Sequence, residues 1–86
     1  MKIDQLEEAV ALTKKFTTKP TNQELLKLYG LYKQATLGDN KEEAPSGFDF
    51  VAAAKHNSWL AYSGKSKEDA AASYIEFVTE LSSKYL

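Results

Sequence analysis

The stretch ELLKLYGLYKQATLGDN, residues 24–40, decides how the chain is read. Its apolar positions recur at helical spacing and no β-branched run alternates with polar residues, so the pattern predicts an amphipathic helix. The residues Thr21-Asn22-Gln23-Glu24 form a capping box, in which the threonine hydroxyl and the glutamate side chain each satisfy an orphan N–H. The helix runs to about Leu37, and Gly38 closes it as a residue able to take a positive φ. Residues three and four apart share a helix face, so Tyr29 lies beside both Tyr32 and Lys33. Core packing alone would be served better by leucine. A tyrosine offers a flat ring and a hydroxyl, and a lysine offers a charge for a phosphate, so the trio suits a nucleotide. It equally suits a half-buried bundle face with a solvated lysine, and spacing does not choose between the two.

Outward from this helix, the same periodicity covers most of the chain. A first helix is expected from an N-cap at Asp4, with Glu7 three residues on and Leu6, Ala9, Thr13 and Phe16 on one face. It should end before Lys19-Pro20, because the residue preceding a proline resists the α region. Residues 38–50, GDNKEEAPSGFDF, are punctuated by Gly38, Pro45 and Gly47 and read as a loop. Such a loop is longer than most bundle connections and can carry the chain along the bundle, so the flanking helices need not be antiparallel. A third helix over about 50–62 holds Phe50, Ala54, Trp59 and Tyr62 and stops at Ser63-Gly64. The fourth opens on Ser66-Lys67-Glu68-Asp69 and carries Tyr74, Val78, Leu81 and Tyr85 as its stripe. The expected fold is all-α, a four-helix bundle forming a single domain over residues 1–86.

Composition narrows the function. With 43 % apolar and 27 % charged residues, the chain has the make-up of a soluble globular protein. A net charge of −1 and a pI near 5.8 argue against a nucleic-acid binder, which needs clustered positive charge to displace counterions. All 11 basic residues are lysines, which rules out bidentate guanidinium clamps; an anion would be held by point charges and hydroxyls. The absence of cysteine removes disulfides, thiol nucleophiles and thiolate metal sites, and suits a reducing compartment. The amphipathic start MKIDQLEEAV is neither a signal peptide nor a membrane span, so the expectation is a cytoplasmic protein without stable membrane insertion. Nothing in the pattern calls for a second apolar face, so a monomer is expected.

Catalytic candidates are few. His56 is the only histidine, and neither an HExxH pair nor a glycine-rich phosphate loop occurs. The carboxylates gather at helix starts, where the macrodipole explains them. The adjacent pairs Glu7-Glu8 and Glu42-Glu43 do not face one another. No catalytic residue, metal site or cofactor is expected, and the chain is read as a non-enzyme. Further binding candidates are Lys55 in the third helix, Tyr74 in the fourth, and Lys14 and Lys19 near the end of the first; their value depends on convergence with Lys33.

The wording is more specific than its physics. Lys19-Pro20, LYGLYKQATLGD at 28–39, Lys55, Trp59 and SKEDAAASYI at 66–75 resemble the acyl-CoA-binding protein family, over essentially the whole chain. The resemblance implies an up-down-down-up bundle that transports or buffers medium- to long-chain fatty acyl-CoA without transforming it. Carried over by position, it implies that Tyr29, Lys33 and Lys55 surround the ribose 3′-phosphate. Tyr32 would stack on adenine, Tyr74 would make a further contact to the head, and Lys14 and Lys19 would be less central. The acyl chain would lie near Ala9, Val10, Leu25 and Leu26, between the first two helices. The chain departs from the family at His56, which stands where a tryptophan commonly follows the binding lysine. Val51, Ala53 and Gln23 replace residues that are often charged, which thins the positive surface of the third helix. A reading from a different class is a helical interaction module whose aromatic face docks an amphipathic partner helix. An acyl carrier protein is excluded, since no Asp-Ser-Leu sequence is present to bear a prosthetic arm.

Overall fold

The computed structural model describes residues 2–86, with side chains described from Gln5 onward, and contains four helices: α1 (Lys2–Thr13), α2 (Asn22–Leu37), α3 (Phe50–Leu60) and α4 (Lys67–Tyr85). No strand occurs among the described residues. Helix α4 packs against α1 and α2, and α3 packs against α2 alone. The core is made by Leu6 and Ala9 of α1, Leu28 and Leu31 of α2, and Ala71, Tyr74, Val78 and Leu81 of α4. The leucines of α2 therefore fill the core, which leaves the neighbouring tyrosine positions to another task.

Side-chain pairings set the directions of the helices. Glu24 meets Lys84 and Tyr85, Tyr32 meets Tyr74, and Gln34 reaches Lys65, so α2 and α4 are antiparallel. Thr17, just past α1, bonds Tyr85 at the end of α4, so α1 and α4 run the same way. Lys55 lies against Tyr29 and Trp59 against Lys33, each one turn further on, so α2 and α3 are parallel. The order is up-down-down-up, and the long connection after α2 returns the chain to the start of α3.

The expected caps of α2 and α4 form. Thr21 accepts from the Glu24 N–H at 3.1 Å while Glu24 accepts from the Thr21 N–H at 2.9 Å. Ser66 accepts from the Asp69 N–H at 3.0 Å. Gly38 ends α2 with φ of 84°, a left-handed value that a side chain resists. At α3, Asp49 supplies a cap that the sequence reading did not include, accepting from the Ala52 N–H at 3.0 Å.

Two expectations are corrected. Helix α1 starts at Lys2, so Asp4 lies within it instead of capping it, and the side chain of Asp4 is outside the described residues. The same helix ends at Thr13, before Lys19-Pro20 as expected, so that Phe16, expected on its face, lies beyond it. There the Thr13 hydroxyl donates to the Val10 carbonyl at 2.6 Å, and the next turn tightens through bonds from Lys14, Lys15 and Phe16 to residues three positions back. Phe50 starts α3 and is 79 % exposed, while the face of α3 toward α2 is made by Ser58 and Trp59. That contact is close: a Cβ on Gly30 would lie 2.6 Å from the Ser58 carbonyl oxygen, and the Ser58 hydroxyl donates to the Leu26 carbonyl.

Candidate functional site

Helices α1 and α2 do not pack directly on one another, and the space between them is an apolar groove of about 330 Å³. Val10 and Thr13 of α1 form one wall, Leu25, Leu28, Tyr29 and Tyr32 of α2 the other, and Tyr74 of α4 the floor. Phe16 and Pro20, from the connection between α1 and α2, border it as well. Because Tyr29 and Tyr32 follow Leu28 and Leu31 by one position, they turn away from the core toward this opening. Tyr29 is half-buried and Tyr32 is 40 % exposed. Tyr32 and Tyr74 meet across the groove with ring centroids 6.0 Å apart in a tilted arrangement. Burial pushes the Tyr74 hydroxyl up to about 12, with Tyr32 adding a smaller push, so it stays a neutral donor throughout the physiological range.

The cations gather at one side of this opening. Lys33 Nζ lies 5.8 Å from the Tyr29 ring centroid and 5.2 Å from that of Trp59. Lys55 Nζ, coming from α3, lies 5.5 Å from the same Tyr29 ring. Ammonium groups placed against aromatic rings are partly pre-positioned, which lowers the entropy lost when they grip a ligand. Two like charges held by one ring favour the arrival of an anion between them. Tyr29 belongs to both environments, with one edge on the apolar groove and the ring against two lysines.

The structure thus brings together Tyr29, Tyr32, Lys33, Lys55 and Tyr74 from three helices. Lys14 and Lys19 are exposed on the connection between α1 and α2, next in sequence to the groove residues Thr13 and Pro20. Of the four residues expected beside an acyl chain, Val10 and Leu25 line the groove. Ala9 is buried in the core and Leu26 is half-buried outside the groove lining. Thr13, Phe16, Pro20, Leu28 and Trp59 were not among the sequence candidates for the site. Phe16 and Pro20 had a signal, since an aromatic followed by a lysine-proline break marks a chain that turns back over its own helix, but both were read only as helix stripe and terminator.

Much of the motif at 28–39 serves structure. Gln34 is fully buried; its amide nitrogen donates to Asp39 Oδ1 at 2.8 Å and to the Lys65 carbonyl at 2.7 Å. The Gly64 N–H donates to the same Asp39 oxygen at 2.8 Å, and these bonds, Gly64 first, hold the Asp39 carboxyl below its usual range. The Trp59 indole N–H donates to the Gly38 carbonyl at 2.8 Å. The amide nitrogen of buried Asn40 faces the His56 carbonyl oxygen and Nδ1, each at 3.2 Å, which gives His56 a place in anchoring the loop. This buckle fixes the end of α2, and with it the ring of Trp59 under Lys33. No group of three or more His, Cys, Asp or Glu able to hold a metal occurs among the described residues.

The sequence profile described as "Acyl CoA binding protein" matches residues 4–78. The chain is 51 % identical over 79 residues to an acyl-CoA-binding protein of Dictyostelium discoideum, covering 92 % of this chain and 94 % of that one. It is 46 % identical over 79 residues to the acyl-CoA-binding protein of Saccharomyces cerevisiae, covering 92 % and 91 %. Among solved structures, the crystal structure of Oryza sativa Acyl-CoA-Binding Protein 2 superposes with a TM-score of 0.92 at 37 % identity, covering 98 % of this chain and 93 % of that one. The solution structure of the yeast acyl coenzyme A binding protein does so with a TM-score of 0.73 at 46 % identity, covering 92 % of each. With its bundle, its groove and the profile match in agreement, the chain belongs to the acyl-CoA binding protein family.

Proposed function

We propose that residues 1–86 act as one domain that reversibly binds long-chain fatty acyl-CoA thioesters, buffering and carrying them without chemical change. The observation that carries this reading is the double placement of Tyr29, which joins a paired-lysine site to an apolar groove. A coenzyme A thioester has the same division, with phosphates at one end and a hydrocarbon tail at the other. Tyr29, Lys33 and Lys55 hold the 3′-phosphate, Tyr32 stacks on the adenine, Tyr74 contacts the head, and Lys14 and Lys19 add attraction from the rim. Val10 and Leu25, with Phe16 and Leu28, take the tail. Burial at ~0.8 kcal/mol per methylene gives on the order of 10 kcal/mol gross for a long chain, so the tail dominates affinity and the head fixes orientation.

The same reading has the protein working as a monomer in the cytoplasm, without nucleic acid and without membrane insertion. No described helix is long and apolar enough to cross a membrane, and the net charge of −1 lacks the positive excess of a general nucleic-acid binder. Calorimetric titration with an acyl-CoA series, free coenzyme A and free fatty acid tests the proposal. Affinity should rise with chain length, with both free components binding far more weakly; equal affinity for short and long chains overturns it. Tyr29→Phe, Lys33→Ala and Lys55→Ala should each weaken binding by roughly 1–3 kcal/mol, since each removes a partner from a charged group. A midpoint of unfolding raised by a helical partner peptide and not by palmitoyl-CoA would instead favour the helix-docking module.

A further inference from the structure

The connection between α1 and α2, residues 14–21, is fastened to the end of α4, and its Phe16 also packs against the core. Only Phe16 and Pro20 in this segment are half-buried, and both border the groove. The Thr17 N–H and hydroxyl both donate to the Tyr85 carbonyl, at 2.7 and 2.9 Å. The rings of Phe16 and Tyr85 pack with centroids 5.8 Å apart. The Tyr85 hydroxyl donates to Glu24 Oε1 at 2.6 Å, and that carboxylate also holds Thr21 through the capping box. Tyr85 thus grips the middle of the segment through its carbonyl, its groove-lining Phe16 through its ring, and its far end through Glu24.

Tyr32, next to Lys33 on α2, meets Tyr74, whereas Leu25 is two turns nearer the start of α2, the end to which Phe16 and Thr17 are tied through Tyr85 and Glu24; this end of the groove is away from Lys33 and Lys55. From Tyr32 to Leu25 is seven residues of α2, about 10 Å at the helical rise. An extended long acyl chain runs further than that. Its end must either bear on Phe16 and Pro20 or displace the segment that carries them. A segment with little buried apolar surface and a few surface hydrogen bonds opens at low free energy, so its fastening decides how readily it yields.

Building on the acyl-CoA reading above, we propose that residues 14–21 are the end stop of the acyl groove, and that Tyr85 is the positioning residue that holds the stop in place and so sets the longest chain accepted. Tyr85 touches no part of the ligand in this proposal; it acts through Phe16, Thr17 and Glu24. Because the effect falls on the far end of the groove, it alters selectivity among chain lengths and leaves Tyr29, Lys33 and Lys55 as they are.

The test is calorimetric titration of the parent, Tyr85→Ala and Tyr85→Phe with dodecanoyl-, hexadecanoyl- and eicosanoyl-CoA and with free coenzyme A. Tyr85→Ala should raise the affinity ratio of eicosanoyl- to dodecanoyl-CoA roughly tenfold, the effect of burying about two further methylenes, with free coenzyme A unchanged. Tyr85→Phe keeps the ring and the backbone carbonyl and loses only the bond to Glu24. Its ratio should move the same way by less, and it carries the test if Tyr85→Ala does not fold. A ratio within twofold of the parent's in the folded variants overturns the end stop while leaving acyl-CoA binding intact. So does a uniform loss at every chain length, which is the mark of general loosening. A parent that binds no acyl-CoA of any length overturns both readings together.

Discussion

The two ends of α2 are secured by different chemistry. At its start, Glu24 collects bonds from the Tyr85 hydroxyl, the Lys84 ammonium and the Thr21 N–H, with the Lys84 side chain 59 % exposed. At its finish, Gln34 is fully buried and clamps Asp39 and Lys65, while Asp39 also receives the Gly64 N–H. The Glu24 side chain is 15 % exposed, but its Lys84 partner lies largely in water, so that part of the fastening is weak and open to screening. A buried amide against backbone groups gives one that is costly to disturb. The groove lies between them. The lysine pair is built on the firm half of α2, where Trp59 is pinned to Gly38 beneath Lys33, and the Phe16 and Leu25 end of the groove on the other half.

Attacking the firm end should have the largest effect. Gln34→Ala opens a void at a fully buried position and strips a partner from Asp39 and from the Lys65 carbonyl, so stability should fall by about 3 kcal/mol in urea unfolding. A loss no greater than that of a surface variant would remove the contrast between the ends. Trp59→Phe keeps a ring under Lys33 but leaves the Gly38 carbonyl without its donor, and should cost about 1 kcal/mol. Acyl-CoA affinity should then fall modestly, because the cation loses the better of two aromatic surfaces.

The yielding end can be probed with acid. The Tyr85 hydroxyl, then Lys84 and the Thr21 N–H, lower the Glu24 pKa from 4.5 to about 2. A carboxyl lowered in the folded state contributes stability that is fully present above its unfolded value and lost as pH falls through the folded one. The unfolding midpoint should therefore drop between about pH 4.5 and about pH 2, and Glu24→Gln should flatten that drop. The part that survives belongs to Asp39, whose carboxyl is also held low, by Gly64 and Gln34. The smallest effect is expected for Lys84→Ala, a change in midpoint near the limit of measurement that disappears in high salt. A large change there would mean that the exposed pair does more than its setting allows.

Local signals were read well from sequence. The Thr21–Glu24 box, the Ser66 cap and the Gly38 stop each lie within a few residues of what they terminate, and all three form. The proline signal correctly ends α1 before Lys19-Pro20 but not at Thr13, and the capture of the following Thr17 by Tyr85, 68 positions away, has no local pattern to announce it. Helical spacing places Phe50 in α3 but does not say which face is covered, and the residue is 79 % exposed. At the site, the proximity of Tyr29 and Lys33 follows from their spacing on one helix. The approach of Lys55 and Tyr74 depends on packing between helices, and only the family resemblance pointed to it. The resemblance assigns Tyr29, Tyr32 and Lys33 to the ligand and is silent on Gln34 and Asp39, whose structural bonds reach residues distant in sequence.

Gly30 offers a ligand nothing, yet it governs the gauge of the cation pair. With no side chain there, the Ser58 backbone can press against α2, and α3 comes near enough to bring Lys55 alongside Tyr29. Any wedge at this crossing would swing α3 outward and take one ammonium with it, so the gap between the two ammonium groups is written in an atom that is missing.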